Sequence, residues 1–222
     1  MIMIIIDKSE LLKAVEYLKQ GKTLVFPTET SYGLGCDATN QEAVDKIFKI
    51  KGRQGDKPLL VVVPDVEMAK KYLVWNNLLD ELAGKYWPGP LTVVGEYLSL
   101  RGAVSDEAIP RFGSANDGIA ALPSVARNDN LAVGVVSPDN TIAVRVTDYP
   151  LTKLLSSGLG RPLVATSANL ADAGDVYDSK KIGIKPDILI DGGELPQNPP
   201  TTIVSVIDNN LQILRQGQIK IT

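Results

Sequence analysis

Pro27-Thr28-Glu29-Thr30-Ser31-Tyr32-Gly33-Leu34-Gly35-Cys36-Asp37-Ala38 follows a short apolar run, Thr23-Leu24-Val25-Phe26. The apolar run predicts a buried strand, which should stop at Pro27 because proline has no amide hydrogen to donate to the ladder. Hydroxyl side chains come next, and Gly33 and Gly35 let a backbone approach a ligand closely or adopt a positive φ. The pattern is typical of a strand end that binds a small polar molecule, although an ordinary strand-to-helix turn carries the same residue types.

The composition excludes several kinds of site. The 222 residues are 44% hydrophobic and 22% charged, as expected for one α/β domain with a buried core. The net charge of −3 gives no global basic field for nucleic acid. The single cysteine, Cys36, and the absence of histidine exclude an internal disulfide, a multi-cysteine metal site and a histidine-based triad. The apolar start, residues 1–6, is too short for a signal segment or a membrane span, so we expect a cytoplasmic protein.

Strands and helices alternate along the chain, which predicts a mixed twisted sheet in an α/β fold. Leu11, Ala14, Val15 and Leu18 share a helical face, and a second helix is expected to start at Thr39. Further apolar runs predict strands at residues 59–63, 91–94, 141–146, 162–165, 187–190, 202–206 and 211–214. We expect a single domain over residues 1–222, with an insertion at about residues 96–140 that is rich in Gly, Ser, Asn and Asp.

Lys51-Gly52-Arg53 is a candidate anion site. If the segment is extended, the side chains of Lys51 and Arg53 point the same way and suit a phosphate group. A solvated helix end, where the helix dipole favours cations, would contain the same residues.

Two further features lie on predicted strands. Ser167-Ala168-Asn169 follows the apolar run at residues 162–165, at a strand end where α/β proteins tend to bind ligands. Arg145 lies inside an apolar strand, with Val144 and Val146 expected on the opposite face. A buried arginine needs a partner, which could be a ligand carboxylate or an internal Asp or Glu, and Arg215 raises the same question.

These motifs occur in a definite order along the chain: Pro27-Thr28-Glu29-Thr30-x-Tyr32-Gly33-Leu34-Gly35, Lys51-x-Arg53, Trp87-Pro88-Gly89-Pro90-Leu91-Thr92, Ser167-x-Asn169 and Thr202-Ile203-Val204. Ordered motifs taken together are far more specific than any one of them. Over roughly residues 10 to 217, the chain resembles the YrdC-type threonylcarbamoyl-AMP synthases of tRNA modification, in their short, single-domain form.

The resemblance implies a YrdC-like twisted mixed sheet with flanking helices around a concave, locally basic cavity. It implies the condensation of L-threonine, bicarbonate and ATP into threonylcarbamoyl-AMP and pyrophosphate, for N6-threonylcarbamoyladenosine at position 37 of tRNA. The catalytic residues implied are Lys51, Arg53, Ser167 and Asn169. Those implied around ATP are Arg53, Lys57, Thr141, Asn169 and Arg215. Those implied around threonine are Thr30, Arg145, Ser167 and Thr201.

The absence of histidine is compatible with this reaction. Threonine carbamate is already an anion, so its attack on the α-phosphate of ATP needs no strong protein base. The site must align two anions and offset their repulsion. Lys51 and Arg53 would neutralise phosphate charge, and Mg²⁺ that arrives with ATP would bridge the leaving pyrophosphate, with no metal ligand expected from the protein.

Two other functions stay open at this stage. In a non-catalytic relative, Lys49, Lys51, Arg53 and Lys57 would contact an RNA backbone, although the net charge is negative and no aromatic stacking run is evident. A related carbamoyl-adenylate-forming domain of hydrogenase maturation usually comes with acylphosphatase and zinc-finger parts, which this sequence does not contain. The expected macromolecular partners are tRNA or double-stranded RNA and a tRNA threonylcarbamoyl transferase, with no membrane.

Overall fold

A computed structural model describes residues 4–7, 10–52, 58–98, 131–171 and 173–221. The first half of the chain forms β1 Ile4–Ile6, α1 Leu11–Lys19, β2 Leu24–Pro27, β3 Tyr32–Gly35, α2 Gln41–Lys51, β4 Val61–Val63, α3 Val66–Ala69, α4 Asn77–Tyr86 and β5 Leu91–Glu96. The second half forms β6 Thr141–Val146, α5 Pro150–Leu159, β7 Leu163–Val164, β8 Thr166–Ser167, a 3₁₀ turn Ser179–Lys181, β9 Ile188–Ile190, β10 Thr202–Ile207 and β11 Asn210–Arg215.

The strands form two mixed sheets, which confirms the predicted mixed α/β class. The first sheet has the order β1-β9-β2-β3-β8 and the second β11-β10-β5-β6-β4-β7, where one sheet had been expected. The segment predicted as one strand at residues 162–165 passes from one sheet to the other. Leu163 and Val164 pair with β4 in the second sheet, and after Ala165 the chain pairs with β3 in the first.

The hairpin β2–β3 corrects the expectation of a loop after Pro27. Residues 32–35 are a strand that pairs antiparallel with β2, so residues 28–31 form only the turn between the two strands. Gly33 and Gly35 therefore lie inside a strand, and neither has a positive φ. A Cβ atom at Gly35 would lie 2.1 Å from the carbonyl oxygen of Val164, so this glycine allows a close approach of protein backbone rather than of a ligand.

Helix α2 begins one residue later than predicted. Asn40 is its N-cap and accepts a hydrogen bond from the amide of Ala43. Thr39 lies before the cap, and its amide and hydroxyl both donate to Asp37 Oδ1, at 2.9 and 2.8 Å. The helix ends at Lys51, with Gly52 in the left-handed conformation as its C-cap, so Lys51 is helical and not extended.

Two groups of buried side chains hold the elements together. The helices α1 and α5 pack against Leu24, Phe26 and Ile190 of the first sheet. One face of the second sheet packs against α2 and α4, and this core group includes Val93 and Val144. No helix within the described residues is both long and apolar enough to span a membrane.

The ends of the predicted insertion belong to the body of the domain. Glu96 pairs with Thr141 in the second sheet. Residues 131–135 are tied back by hydrogen bonds from Ala132 N to Ala38 O at 2.9 Å and from Leu59 N to Gly134 O at 2.8 Å. Residues 99–130 lie outside the described part of the chain, so the single-domain organisation with an insertion stays a prediction.

The close approach at Gly35 generates a stability prediction. In Gly35→Ala, the new methyl group meets Val164 O and the Phe26 ring, so we expect the free energy of unfolding to fall by about 1–3 kcal/mol. Gly84→Ala in α4 is the control, because no described residue beyond its own helix turn lies within 4 Å of the Cβ position and helical alanine is favoured by about 0.5–1 kcal/mol. Urea unfolding measures both variants, and a Gly35→Ala protein as stable as Gly84→Ala would contradict the packing argument.

Candidate active site

One face of the second sheet carries polar side chains around Arg145, next to the buried Val62 that packs with α1 and α5. Arg145 on β6 pairs with Thr92 on β5, and the neighbouring Val93–Val144 pair belongs to the opposite, apolar face. Side chains alternate along a strand, so the valines beside Arg145 point into the core and Arg145 points away from it, as predicted. Thr92 and Arg145 are nonetheless 1% and 4% exposed, so a cation is buried on this face.

Glu29 in the turn between β2 and β3 is the partner of Arg145. The Arg145 Nη1 atom donates to Glu29 Oε1 at 2.5 Å. Asn198 holds the backbone of Glu29 by a 2.8 Å hydrogen bond from Nδ2 to the carbonyl oxygen. Burial raises the pKa of Tyr149, and the negative charge of Glu29 raises it further. Of the two partners that the sequence left open, the described residues supply the internal carboxylate.

Thr201 and Arg215 extend this polar face. The hydroxyl oxygens of Thr92 and Thr201 are 3.3 Å apart. The Arg215 guanidinium donates to Thr201 O from Nε at 3.1 Å and from Nη2 at 2.9 Å, and to Thr201 Oγ1 at 3.2 Å. Partial burial lowers the pKa of Arg215, and the carboxylate of Asp175 opposes that shift. Arg215 therefore fixes the position of Thr201 beside the buried arginine.

Thr30 lies next to Glu29 in a turn closed by hydroxyl groups. Thr28 Oγ1 donates to Ser31 O at 2.7 Å and lies 3.1 Å from Thr30 Oγ1. The amide of Thr30 donates to Thr28 Oγ1 at 3.2 Å. These contacts hold the Thr30 side chain in the same turn that presents Glu29 to Arg145.

Lys51 organises a second group of predicted residues. Lys51 is only 4% exposed. Its ammonium group donates to Ser167 O at 2.8 Å, Asn169 O at 3.0 Å and Asn169 Oδ1 at 2.9 Å. Ser167 Oγ donates to the same Asn169 Oδ1 at 2.8 Å, and Asn169 Nδ2 donates to the carbonyls of Ala173 and Gly174. The end of α2 thus delivers a buried cation that holds the turn at residues 167–169.

The hairpin β2–β3 connects the two groups. Ser167 pairs with Gly33 on β3, and Ala168 N donates to Tyr32 O at 2.8 Å. The segment that Asn169 binds leads directly into Asp175, whose charge acts on Arg215. Seven predicted residues are therefore linked through one hairpin and its neighbours: Thr30, Lys51, Arg145, Ser167, Asn169, Thr201 and Arg215.

One predicted residue, Thr141, does not join this group. Thr141 begins β6, four residues and about 13 Å from Arg145, and its hydroxyl donates to Asp139 Oδ1 at 2.8 Å. That hydrogen bond, together with one from Ser137, holds the pKa of Asp139 below its usual value. Arg53 and Lys57 lie outside the described residues, so their predicted contacts with ATP stay predictions.

The sequence did not single out Glu29 and Thr92 as site residues. Both lie within quoted motifs, where an acidic residue among hydroxyls and a threonine in an apolar strand could have drawn attention. Their role becomes visible only when the hairpin turn of one sheet meets the polar face of the other.

A surface groove of about 790 Å³ lies between α1 and α5, lined by Leu12, Tyr17 and Leu154 among others. None of the predicted site residues that the structure describes lines it, so it is separate from the polar face. Within the described ranges, no group of three or more Asp, Glu, Cys or His side chains is arranged to hold a metal ion.

A family profile described as "Telomere recombination" (Sua5_yciO_yrdC) matches residues 16–115 and 119–217. The chain therefore belongs to the Sua5/YciO/YrdC family. A Vibrio vulnificus protein named threonylcarbamoyl-AMP synthase is 31% identical over 216 residues, which cover 94% of this chain and 99% of the relative. A Bacillus subtilis protein of the same name is 29% identical over 217 residues, and the match covers 95% of this chain but only 54% of that relative.

Solved structures share the fold. Pyrococcus abyssi Sua5 complexed with L-threonine superposes with a TM-score of 0.73 at 26% identity, over 98% of this chain and 58% of the Sua5 chain. Escherichia coli YciO superposes with a TM-score of 0.72 at 22% identity, over 97% of this chain and 95% of its own. The present chain thus spans a little over half of the longer Sua5 protein and nearly all of the shorter one.

The buried ammonium of Lys51 generates a second stability prediction. In Lys51→Met, the oxygens of Ser167 and Asn169 lose a charged donor, so we expect the free energy of unfolding to fall by about 1.5–3 kcal/mol or more. Lys49→Met, on an exposed position of the same helix, should change it by no more than about 0.5 kcal/mol. Urea unfolding at neutral pH measures both, and equal values for the two variants would rule out the bracing role of Lys51.

Proposed function

We propose that this protein is an L-threonylcarbamoyladenylate synthase, a nucleotidyltransferase-type enzyme. It condenses L-threonine, bicarbonate and ATP into threonylcarbamoyl-AMP, pyrophosphate and water, and the product serves N6-threonylcarbamoyladenosine formation at position 37 of tRNA. The observation that carries the proposal is the buried Arg145 with its surrounding hydroxyl groups. The chain also matches the Vibrio vulnificus protein named threonylcarbamoyl-AMP synthase over 99% of that relative's length.

We assign the threonine site to the polar face around Arg145. Its guanidinium binds the carboxylate of the amino acid, and the hydroxyls of Thr30, Ser167 and Thr201 surround the rest of it. The hydrogen bonds that hold Thr30 and Thr201 support the assignment, because a preformed site loses little entropy on binding. The L-threonine in the P. abyssi Sua5 structure is consistent with an amino-acid site in this fold.

We assign ATP to the neighbouring residues, with Arg53, Lys57, Thr141, Asn169 and Arg215 around it. Asn169 and Arg215 already make hydrogen bonds within the protein, so they would act partly by holding the walls of the site in place. Lys51, Arg53, Ser167 and Asn169 would align the threonine carbamate with the α-phosphate and offset the repulsion between the two anions. The nucleophile belongs to the substrate, and no covalent protein intermediate forms.

Mg²⁺ is proposed to enter with ATP. This ion usually keeps several waters and binds through substrate phosphates, which requires no cage of protein carboxylates. It would supply charge neutralisation of the leaving pyrophosphate. The product is proposed to pass to a tRNA threonylcarbamoyl transferase, with direct contact to tRNA or double-stranded RNA through Lys49, which is exposed near the end of α2.

A non-catalytic RNA-binding role is the alternative to enzyme activity. It predicts RNA affinity with a strong salt dependence and no turnover of ATP. The named relatives and the buried amino-acid site favour the enzyme.

Pyrophosphate release provides the direct test of the activity. Purified protein with L-threonine, bicarbonate, ATP and Mg²⁺ should release pyrophosphate, and omission of either threonine or bicarbonate should reduce the rate to background. The adenylate product is identified by mass spectrometry. Equal pyrophosphate release without threonine would contradict the proposed reaction.

Arg145→Lys tests the threonine site. Lysine keeps the charge but loses the planar fork, so we expect the KM for threonine to rise roughly 10- to 150-fold while the KM for ATP changes much less. Arg161→Lys is the control, because Arg161 pairs with Asp37 outside the proposed site and its replacement should leave both KM values near wild type. If Arg145 only supports the fold through Glu29, Arg145→Lys lowers the melting temperature and affects both substrates alike.

A further inference from the structure

The Glu29–Arg145 ion pair uses only part of each charged group. Arg145 Nη1 donates to Glu29 Oε1, and the two side chains are 5% and 18% exposed. Arg145 Nε and Glu29 Oε2 are buried, and neither has a hydrogen-bond partner among the described residues. One donor and one acceptor are therefore unpaired on the same ion pair, in surroundings where an unmade hydrogen bond is costly.

A zwitterionic α-amino acid has the two groups that match. Its carboxylate can accept from Arg145 Nε, and its ammonium group can donate to Glu29 Oε2. A simple carboxylate would leave Glu29 Oε2 unpaired and would add a negative charge to a buried, neutral ion pair. The zwitterion instead keeps the sum of charges at zero, which avoids the cost of burying an uncompensated charge.

The surroundings of the pair suit a hydroxylated amino acid. Thr30 adjoins Glu29 in the turn, and Thr92, which pairs with Arg145 across the strands, lies in hydroxyl contact with Thr201. Hydroxyl groups can both donate to and accept from a ligand hydroxyl. The turn that carries Glu29 is fixed by Asn198, so its carboxylate is positioned before a ligand arrives.

We propose that Glu29 is a substrate-positioning residue: its Oε2 atom accepts a hydrogen bond from the α-ammonium group of L-threonine while Arg145 binds the carboxylate. The assignment rests on the proposed function, which supplies L-threonine as the amino acid. Glu29 thereby selects the free amino acid over acids of the same shape that lack the amine.

Calorimetric titration of the wild-type protein tests the charge pattern without catalysis. L-threonine is compared with 2,3-dihydroxybutanoate, in which a hydroxyl replaces the amine, and with L-threoninol, in which a hydroxymethyl group replaces the carboxylate. We expect L-threonine to bind at least about 10-fold more tightly than either analogue, since each lacks one charged hydrogen bond. Equal affinity for L-threonine and 2,3-dihydroxybutanoate would overturn the role of Glu29.

Glu29→Gln assigns the effect to this side chain. The amide keeps an oxygen for Arg145 but removes the charge that attracts the ammonium group, so affinity for L-threonine should fall about 10- to 100-fold. Affinity for 2,3-dihydroxybutanoate should not fall and is expected to rise, because its carboxylate then meets an Arg145 charge that Glu29 no longer offsets. Glu67→Gln, at an 81% exposed side chain of α3, is the control and should change neither value. Equal losses for both ligands in Glu29→Gln would show that Glu29 only holds Arg145 in place, which overturns the proposal.

The two proposals fail in different ways. Threonine-dependent pyrophosphate release with no selectivity for the amine would overturn the role of Glu29 and leave the synthase function intact. Selective binding of L-threonine without pyrophosphate release would overturn the synthase function alone. If Glu29→Gln does not fold, the comparison of ligands on the wild-type protein still decides the proposal.

Discussion

The burial of Arg145 is the constraint on which the site depends. A guanidinium on the face of a sheet and almost wholly removed from water requires a carboxylate, because the desolvation of an unpaired charge costs several kcal/mol. Glu29 meets that need from the other sheet, so the ion pair ties the β2–β3 turn to β6. The same contact leaves one donor and one acceptor without a partner among the described residues, and these are the two atoms that the proposed threonine site uses.

Lys51 is a second buried cation with a different kind of compensation. Its ammonium group is met by two backbone carbonyls and an amide oxygen of the turn at residues 167–169. These three hydrogen bonds fix both the turn and the ammonium group.

Patterns that depend on nearby residues were predictable. Strand alternation placed Arg145 opposite its neighbouring valines, helical periodicity placed Ala14, Val15 and Leu18 in the core, and both agree with the structure. The glycine at position 35 was misinterpreted, because the backbone that approaches it belongs to Val164, far along the chain. Of the two alternatives left open for Lys51, the structure shows the helix end, which Gly52 terminates in the left-handed conformation, but the side chain is buried and not solvated.

By itself, the sequence determined the mixed α/β class, the family motifs and most of the residues that converge at the site. These follow from local periodicity and from ordered motifs, both of which are readable along a single chain. Only the tertiary structure decided that the strands form two sheets, that Glu29 is the partner of Arg145 and that Lys51 braces the turn at residues 167–169. The contacts of Glu29 with Arg145 and of Lys51 with Ser167 each join residues more than a hundred positions apart. Such contacts depend on how the sheets pack, which no local sequence pattern specifies.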